Sequence, residues 1–406
     1  MAEKMELNEI EVWDGNMAAS QALRQAQIDV VAAYPITPST PVVQNYGSFL
    51  ANGYIDGEFV MVESEHAAMS GCVGAAAAGG RVATATSSQG FALMTEVLYQ
   101  ASGMRLPIVL VVVNRALAAP LNVNGDHSDM YLGRDSGWIQ LDAFNAQEAY
   151  DLTLMAFRIG EDPEIRLPVM SHQDGFITSH TAENVRPLSD DEAYAFIGEY
   201  PMVNAMLDLA KPVTYGVQTE EDWHFEHKAR QHHDLMTKVF GKVEEVFDAF
   251  EKKTGRRYNI VETYHMDDAE VAIVALGTTV DTAEYVAGKL REQGIKAGVV
   301  SPRLFRPWPH EQIMEALSGV KAVACLDRSS PNGAMGMLYN EVAASMYQSD
   351  NHPVITNYIY GLGGRDFTTE HAEEIYKELV ANAQAGKPTT PLQQFIGLRG
   401  PKLSFY

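Results

Sequence analysis

The chain has 406 residues, enough for two or three domains with large cores. Apolar residues make up 46% and charged residues 20%, which excludes a disordered chain, a collagen-like repeat or a disulfide scaffold. With 30 basic against 53 acidic residues the net charge is −23, a poor counter-ion for phosphate backbones, so nucleic acid is not an expected partner.

Cys72 and Cys325 are the cysteines of the chain. Two thiols are too few for an iron–sulfur cluster or a cysteine-rich zinc site, and no metal site is read. So low a cysteine count fits a reducing compartment. The apolar run 106–113 has the length of a buried strand, far short of a membrane span. Residues 1–16 lack the basic-then-apolar order of a signal peptide. The expectation is a cytoplasmic protein with no membrane partner.

In chain order, 29–34 reads as a strand ending at Pro35, 59–63 as a second, 82–86 as a third and 108–113 as a fourth. Between them 39–50, 64–78 and 89–102 have helical length and few breakers. Strands separated by helix-length segments predict βαβ crossovers and a mostly parallel sheet covered on both faces. Residues 114–136 are too long for an ordinary connection, and loops of that length are usually functional. A middle region, 189–243, carries charge clusters, Pro201, Pro212 and the stretch HFEHKARQHH. Its His224, His227, His232 and His233 match no zinc motif and read as a solvated helix face. Residues 243–253 predict an amphipathic helix, and 255–258 a turn at a boundary. Alternation then restarts, with strands at 271–276, 297–301, 322–327 and 354–359 and helices at 279–292, 309–317, 336–346 and 367–384. This is a second, smaller α/β domain.

Four clusters follow strands and so lie where open α/β sheets bind ligands. Tyr34-Pro35-Ile36-Thr37-Pro38-Ser39-Thr40-Pro41 serves as a rigid turn with Ser39 or Thr40 as helix cap, or it aims the Thr37 hydroxyl at a substrate. In Glu63-Ser64-Glu65-His66, Glu65 is a dipole-favoured helix start, or an acid–base carboxylate beside a small apolar stretch. Thr86-Ser87-Ser88-Gln89-Gly90 is a capped turn, or polar backbone meeting a ligand. Arg115 ends the strongest strand and makes a surface ion pair, or clamps a carboxylate with two parallel bonds. Asp126, His127 and Asp129 match no standard metal site. There is no GxGxxG, no P-loop and no GxSxG elbow.

Taken together and in order, YPITPSTP, VESEHAAMSGCVGAAAAG, TATSSQGFALMTEVLYQASGMRLPIV, NRALAAP, GDHSDM, RDSGWIQL and LPVMSHQDGFITSH resemble the alpha subunit of 2-oxoacid:ferredoxin oxidoreductases. The resemblance is greatest to multi-subunit pyruvate:ferredoxin oxidoreductases and continues through SPRLFRPWP, LDRSSPNGAMG and GLGGRD. It implies a pyrimidine-type thiamine diphosphate domain at 1–240, with a doubly wound parallel sheet. A transketolase C-terminal-like domain follows at 241–406.

The resemblance implies a chemistry as well. Pyruvate is decarboxylated, its acyl group passes to coenzyme A, and electrons pass to ferredoxin. The GDG motif that binds diphosphate and magnesium in thiamine enzymes is absent. The pyrimidine half of thiamine diphosphate therefore falls to this chain. A beta subunit is expected to supply diphosphate, Mg2+ and a [4Fe-4S] cluster, with gamma and delta chains or their equivalents beside it. Residue by residue, Glu65 aligns with the carboxylate that contacts pyrimidine N1′, and Thr37 and Arg115 with groups that hold the substrate. Tyr34, Pro35 and Ile36 shape the wall, and Ser88 and Gln89 line the cofactor side. The loop LNVNGDHSD departs from relatives richer in tryptophan, which leaves 2-oxobutyrate, 2-oxoglutarate, 2-oxoisovalerate or oxalate as alternative substrates. A thiamine-dependent decarboxylase half that uses no ferredoxin, and a non-catalytic scaffold, are the other readings.

Overall fold

The unbroken apolar run of the fourth strand becomes the centre of a sheet buried on both faces, which is why it shows no alternation. A computed structural model describes residues 2–399. The expected second domain runs to Tyr406, and its last seven residues lie outside the described ones.

The first half contains β1 (Glu11–Trp13), α1 (Gly15–Gln25), β2 (Val30–Ala33), α2 (Thr40–Ala51), β3 (Glu58–Met61), α3 (Glu65–Ala78), β4 (Val82–Thr86), α4 (Ser88–Gly103), β5 (Ile108–Asn114) and β6 (Ile139–Ala143). It continues with α5 (Ala146–Gly160), β7 (Val169–Asp174), α6 (Ile177–His180), β8 (Glu183–Val185), α7 (Asp190–Ile197) and α8 (Glu221–Thr254). The second half adds β9 (Val261–Tyr264), β10 (Val271–Val274), α9 (Thr279–Glu292), β11 (Ala297–Pro302), β12 (Leu304–Arg306), α10 (His310–Ala316), β13 (Ala322–Asp327), α11 (Met337–Tyr347), β14 (Val354–Ile359), α12 (Thr369–Ala385) and β15 (Gln393–Phe395).

The first sheet has the order β12-β6-β7-β5-β4-β2-β3. Its strands are parallel except β12, which crosses over from the second half and pairs antiparallel with β6. From β2 the chain moves outward to β3, then returns to β4 on the other side. The strand order reverses between β2 and β4, so the sheet's switch point lies at their carboxyl ends. Alternate residues of each strand feed two cores. Val31, Ala83, Val109 and Val111 pack with α1, α2 and α5, while Ala32, Val82, Leu110 and Val112 pack with α3 and α4.

The second sheet, β15-β14-β13-β10-β11-β9, is parallel apart from β9. It too carries helices on both faces, with α9 and α12 on one and α10 and α11 on the other. Met130 and Tyr131 of the long 114–136 loop pack into this second core, so the loop is part of the joint between the halves. Arg303 seals the same joint. It is fully buried, its Nη2 donates to Glu148 at 3.1 Å and its Nε to Glu262 at 3.2 Å, and its guanidinium lies 4.2 Å from the Phe144 ring centroid.

Three sequence expectations need correction. The predicted helix at 243–253 is the end of α8, which starts at Glu221; its first ten residues are all exposed, so they carry no apolar stripe to read. His224 and His227 lie in that stretch and His232 and His233 just beyond it, all four exposed. Ser39 does not cap α2 with its side chain; its hydroxyl donates back to the Ile36 carbonyl at 2.9 Å. Between 136 and 189 the alternation continues through β6, α5 and β7. These strands were illegible because Gln140, Asp142, His172, Gln173 and Asp174 are polar yet buried.

Candidate active site

The site builds up from the switch point. After β2 the segment Tyr34 to Thr37 comes to the surface, with Tyr34, Pro35 and Thr37 exposed and Ile36 half-buried. The Pro38 carbonyl accepts from Asn16 Nδ2 at 2.9 Å, which fastens this turn to α1. The Thr37 carbonyl accepts from Arg115 Nη1 at 2.8 Å, so two groups 78 residues apart in sequence meet at the ends of β2 and β5.

Glu65 opens α3. Ser64 caps that helix, its hydroxyl accepting from the Ala67 N–H at 3.1 Å. Glu65 is 7% exposed, and no described group donates a hydrogen bond to its carboxylate. The side chain lies over Gly90 at the start of α4. A Cβ there would sit 2.5 Å from Glu65 Oε1 and 2.7 Å from Thr86 Oγ1, so the carboxylate occupies space that only a glycine leaves. The Thr86 and Ser87 hydroxyls beside it are buried without protein partners.

Arg115 is 6% exposed and is held by carbonyls, Nη1 on Thr37 and Nε on Asn122 at 3.0 Å. Its Nη2 donates to no described group. Burial pulls the guanidinium below its ordinary value while the Asp129 charge opposes this, and an arginine so placed stays charged. Asp129 organises the surroundings. Its buried carboxylate accepts from the N–H of Ser88 (2.7 Å), Arg115 (2.9 Å) and Met130 (2.8 Å) and from Asn114 Nδ2 (2.9 Å). Burial pushes it up to about 6 against those four donors. Ser88 sits at φ +49°; its hydroxyl donates to the Ala116 carbonyl and lies 2.6 Å from the Gln89 side-chain amide. The chain of contact therefore runs from Glu65 through Gly90 to Ser88, and through Asp129 to Arg115 and Thr37.

Behind the loop lies a buried ionic group. His127 Nε2 is 2.6 Å from Asp174 Oδ1, and Asp174 Oδ2 also accepts from Thr278 and, at 3.0 Å, from Arg328 Nη1. Burial disfavours a charged His127, but Asp174 and Asp142 raise it above the ordinary histidine value. Burial works against a charged Asp174 as well, and the Arg328 and His127 charges hold it far below the carboxylate range. Asp142, which accepts from the Gly277 N–H at 2.7 Å, is pushed by burial up to about 7. His172 is pushed by burial down to about 3, so it is a neutral imidazole. Asp126 Oδ2 accepts from the Gly363 N–H at 3.1 Å.

The structure thus brings Thr37, Glu65, Ser88, Gln89 and Arg115 to one face at the switch point, with Tyr34, Pro35 and Ile36 beside them. Sequence reasoning missed Gly90 as the floor under Glu65 and Asp129 as the hub. It also missed Asp142, Asp174 and Arg328. Gly90, Asp129, Asp174 and Arg328 all lie inside quoted motifs, but nothing local marks their partners; Asp142 lies just past RDSGWIQL and carries no local mark.

A buried carboxylate over a glycine floor, with unpartnered hydroxyls and a charged guanidinium at a sheet's switch point, defines a cofactor-binding α/β enzyme. These residues fit the pyrimidine end of thiamine diphosphate, since the Glu65 carboxylate is free to receive a ring nitrogen. Residues 21–247 match the family model "Pyruvate flavodoxin/ferredoxin oxidoreductase, thiamine diP-bdg", and 269–372 match "Pyruvate:ferredoxin oxidoreductase core domain II". The chain is 46% identical over 385 residues to a pyruvate synthase subunit, PorA, of Thermotoga maritima, covering 95% of this chain and 97% of that one. It is 40% identical over 379 residues to a ketoisovalerate oxidoreductase subunit, VorA, of Pyrococcus abyssi, covering 93% and 95%. A 2-oxoglutarate:ferredoxin oxidoreductase of Magnetococcus marinus shares the fold, with a TM-score of 0.68 and 21% identity over 95% of this chain and 67% of that one. The chain belongs to the pyruvate flavodoxin/ferredoxin oxidoreductase family, and its first domain is the family's thiamine diphosphate-binding domain.

Proposed function

We propose that the chain is the alpha-type catalytic subunit of a pyruvate synthase. The overall reaction is pyruvate plus coenzyme A plus two oxidised ferredoxins giving acetyl-CoA, CO2, two reduced ferredoxins and a proton, and it is reversible. The observation that carries this reading is Arg115 bonded to the Thr37 carbonyl and, through Asp129, linked to the Ser88 turn, whose Gly90 makes room for the Glu65 carboxylate. The family match and the 46% identity to a pyruvate synthase subunit support it.

Thiamine diphosphate, when bound, supplies the heterocycle that stabilises a carbanion. Glu65 would hold the pyrimidine and move a proton at N1′. Arg115 would orient the substrate carboxylate through its free Nη2, and the Thr37 hydroxyl would donate to the oxo or carboxylate oxygen. Tyr34, Pro35 and Ile36 would wall the pocket, with Ser88 and Gln89 on the cofactor side. We assign 1–240 to the pyrimidine-binding domain and 241–406 to a transketolase C-terminal-like domain.

The site faces outward, which fits completion by another chain. The outer face of α3 below Glu65 presents Ala67, Ser70, Gly71, Gly74, Ala75 and Ala78, small residues that let a second helix approach closely. A beta subunit is the proposed occupant, bringing diphosphate, Mg2+ and a [4Fe-4S] cluster, with gamma and delta chains or equivalents beyond it. Among the described residues no three His, Cys, Asp or Glu group as metal ligands, and both cysteines are buried. No described helix is long and apolar enough to cross a membrane, and a cytoplasmic setting suits the proposed ferredoxin chemistry.

The test uses the native complex, purified anaerobically. Reduction of ferredoxin should depend on coenzyme A and be fastest with pyruvate among pyruvate, 2-oxobutyrate, 2-oxoglutarate, 2-oxoisovalerate and oxalate. The relative named for ketoisovalerate makes 2-oxoisovalerate the second reading, and a preference for it would move the substrate but keep the chemistry. Glu65→Gln should lower kcat by about a thousandfold with assembly intact, as loss of an acid–base group requires. Near-normal turnover in that variant would remove Glu65 from the proton-transfer role.

A further inference from the structure

The second domain grips the loop that carries Arg115. The grip is centred on Gly363, in the turn Leu362–Gly364. Both backbone groups of Gly363 are taken by loop side chains. Its N–H donates to Asp126 Oδ2 at 3.1 Å, and its carbonyl accepts from Asn122 Nδ2 at 3.1 Å. The carbonyl of the same Asn122 accepts from Arg115 Nε at 3.0 Å. Two hydrogen bonds and one residue therefore separate a turn of the second domain from the guanidinium. The intervening segment lies at the surface, with Leu121 75% exposed and Asn124 exposed, and its other ties are local, from the Ala116 N–H to the Asn124 carbonyl and from the Asn124 N–H to Asn122 Oδ1.

The fit leaves no slack. Gly363 stands at φ +60°, where a side chain is strained, and a Cβ on it would lie 2.4 Å from Asn122 Nδ2. A Cβ on Gly364 would lie equally close to that of Asn124. A side chain on Gly363 must turn the Asn122 amide away, which breaks its bond to the Gly363 carbonyl and releases the residue whose own carbonyl holds Arg115 Nε.

We propose that Gly363 is a positioning residue for substrate binding. Through Asn122 the second domain sets the direction of the Arg115 guanidinium, and thereby the affinity for the 2-oxoacid carboxylate. This rests on the reading of Arg115 as the carboxylate-binding group. It gives the second domain a role in substrate recognition.

The test compares Gly363→Ala, Asn122→Ala, the double variant and Arg115→Ala in the assembled complex, with pyruvate as the varied substrate. Gly363→Ala should raise the apparent KM about tenfold and change kcat less, because it disturbs orientation of a binding group and leaves the proton-transfer group alone. Asn122→Ala should do the same, and the double variant should be no worse than the worse single, since both cut one path. The melting temperatures should lie together, which separates aim from general loosening. If Gly363→Ala fails to assemble, Asn122→Ala carries the same expectation, for it removes the grip without adding bulk. KM within about twofold of wild type in both, with a large loss in Arg115→Ala, would overturn the proposal and keep the reading of Arg115. A loss confined to kcat would overturn it as well. An unchanged kcat/KM in Arg115→Ala would overturn the reading of Arg115 and the proposal together.

Discussion

Gly90 shows how a single missing carbon shapes the site. It lies in the first turn of α4, where glycine is a poor helix former and alanine is better by up to about 1 kcal/mol. Helix propensity alone would favour alanine. The Glu65 carboxylate and the Thr86 hydroxyl fill the volume a methyl would need. Gly90→Ala should therefore push the carboxylate aside and lower kcat about a hundredfold, the scale of a misplacement of about 1 Å, with overpacking costing about 1–3 kcal/mol of stability. A kcat near that of the wild type would mean that Gly90 does not set the place of the carboxylate. The motif VESEH, with its neighbours, made Glu65 legible in the sequence, and the family resemblance assigned it a role. That Gly90 lies under it was not legible, because the two are 25 positions apart, with the rest of α3 and β4 between them.

At the scale of elements, buried ion pairs hold the layers where the apolar pattern cannot. Arg81, just before β4, donates from Nε and Nη2 to Glu161 at the end of α5, at 2.8 and 2.7 Å. Its remaining donors reach the carbonyls of Ala26 and Gly198, so one guanidinium joins the ends of α1, α5 and α7. Both side chains are almost wholly buried. Arg81→Ala leaves the Glu161 carboxylate buried and unpaired and should cost about 3–5 kcal/mol in denaturant unfolding. Replacing the pair together, Arg81→Met with Glu161→Leu, should recover most of that loss. A single variant as stable as wild type would show that water reaches Glu161. Elements such as α1, β6 and β7 escaped the pattern of the sequence for this same reason. Their polar residues are inside, and the charged Arg24 is tolerated there because a distant partner, Asp190, neutralises it.

Across the whole molecule, the carboxyl ends of the two parallel sheets meet at a joint rich in ionisable groups. Asp142 is pushed by burial up to about 7, with the Asp174 charge adding and His127 opposing. Its folded value lies above that of an unfolded aspartate, so the folded protein keeps a proton that the unfolded chain has lost. That contribution to stability is complete below the ordinary aspartate value and is lost as pH rises through about 7. Asp142→Asn removes the titration. The melting temperature of the variant, relative to wild type, should rise between about pH 5 and about pH 8. An offset that is constant with pH would show that Asp142 is already ionised at the acid end.

What the sequence by itself determined was local and repetitive. Apolar runs of strand length alternating with helix-length segments required a parallel sheet covered on both faces, because each backbone must satisfy its hydrogen bonds and bury one face. Motifs at strand ends marked where a ligand would sit. Tertiary structure alone decided the strand order that creates the switch point, the return of β12 to the first sheet, and the tie from Gly363 through Asn122 to Arg115. These are pairings between residues well separated in the chain, 52 positions for Val30 with Val82 and 241 for Asn122 with Gly363, or between a side chain and a carbonyl. Such contacts impose no periodicity on the chain, and so leave no pattern in the sequence until the fold brings the partners together.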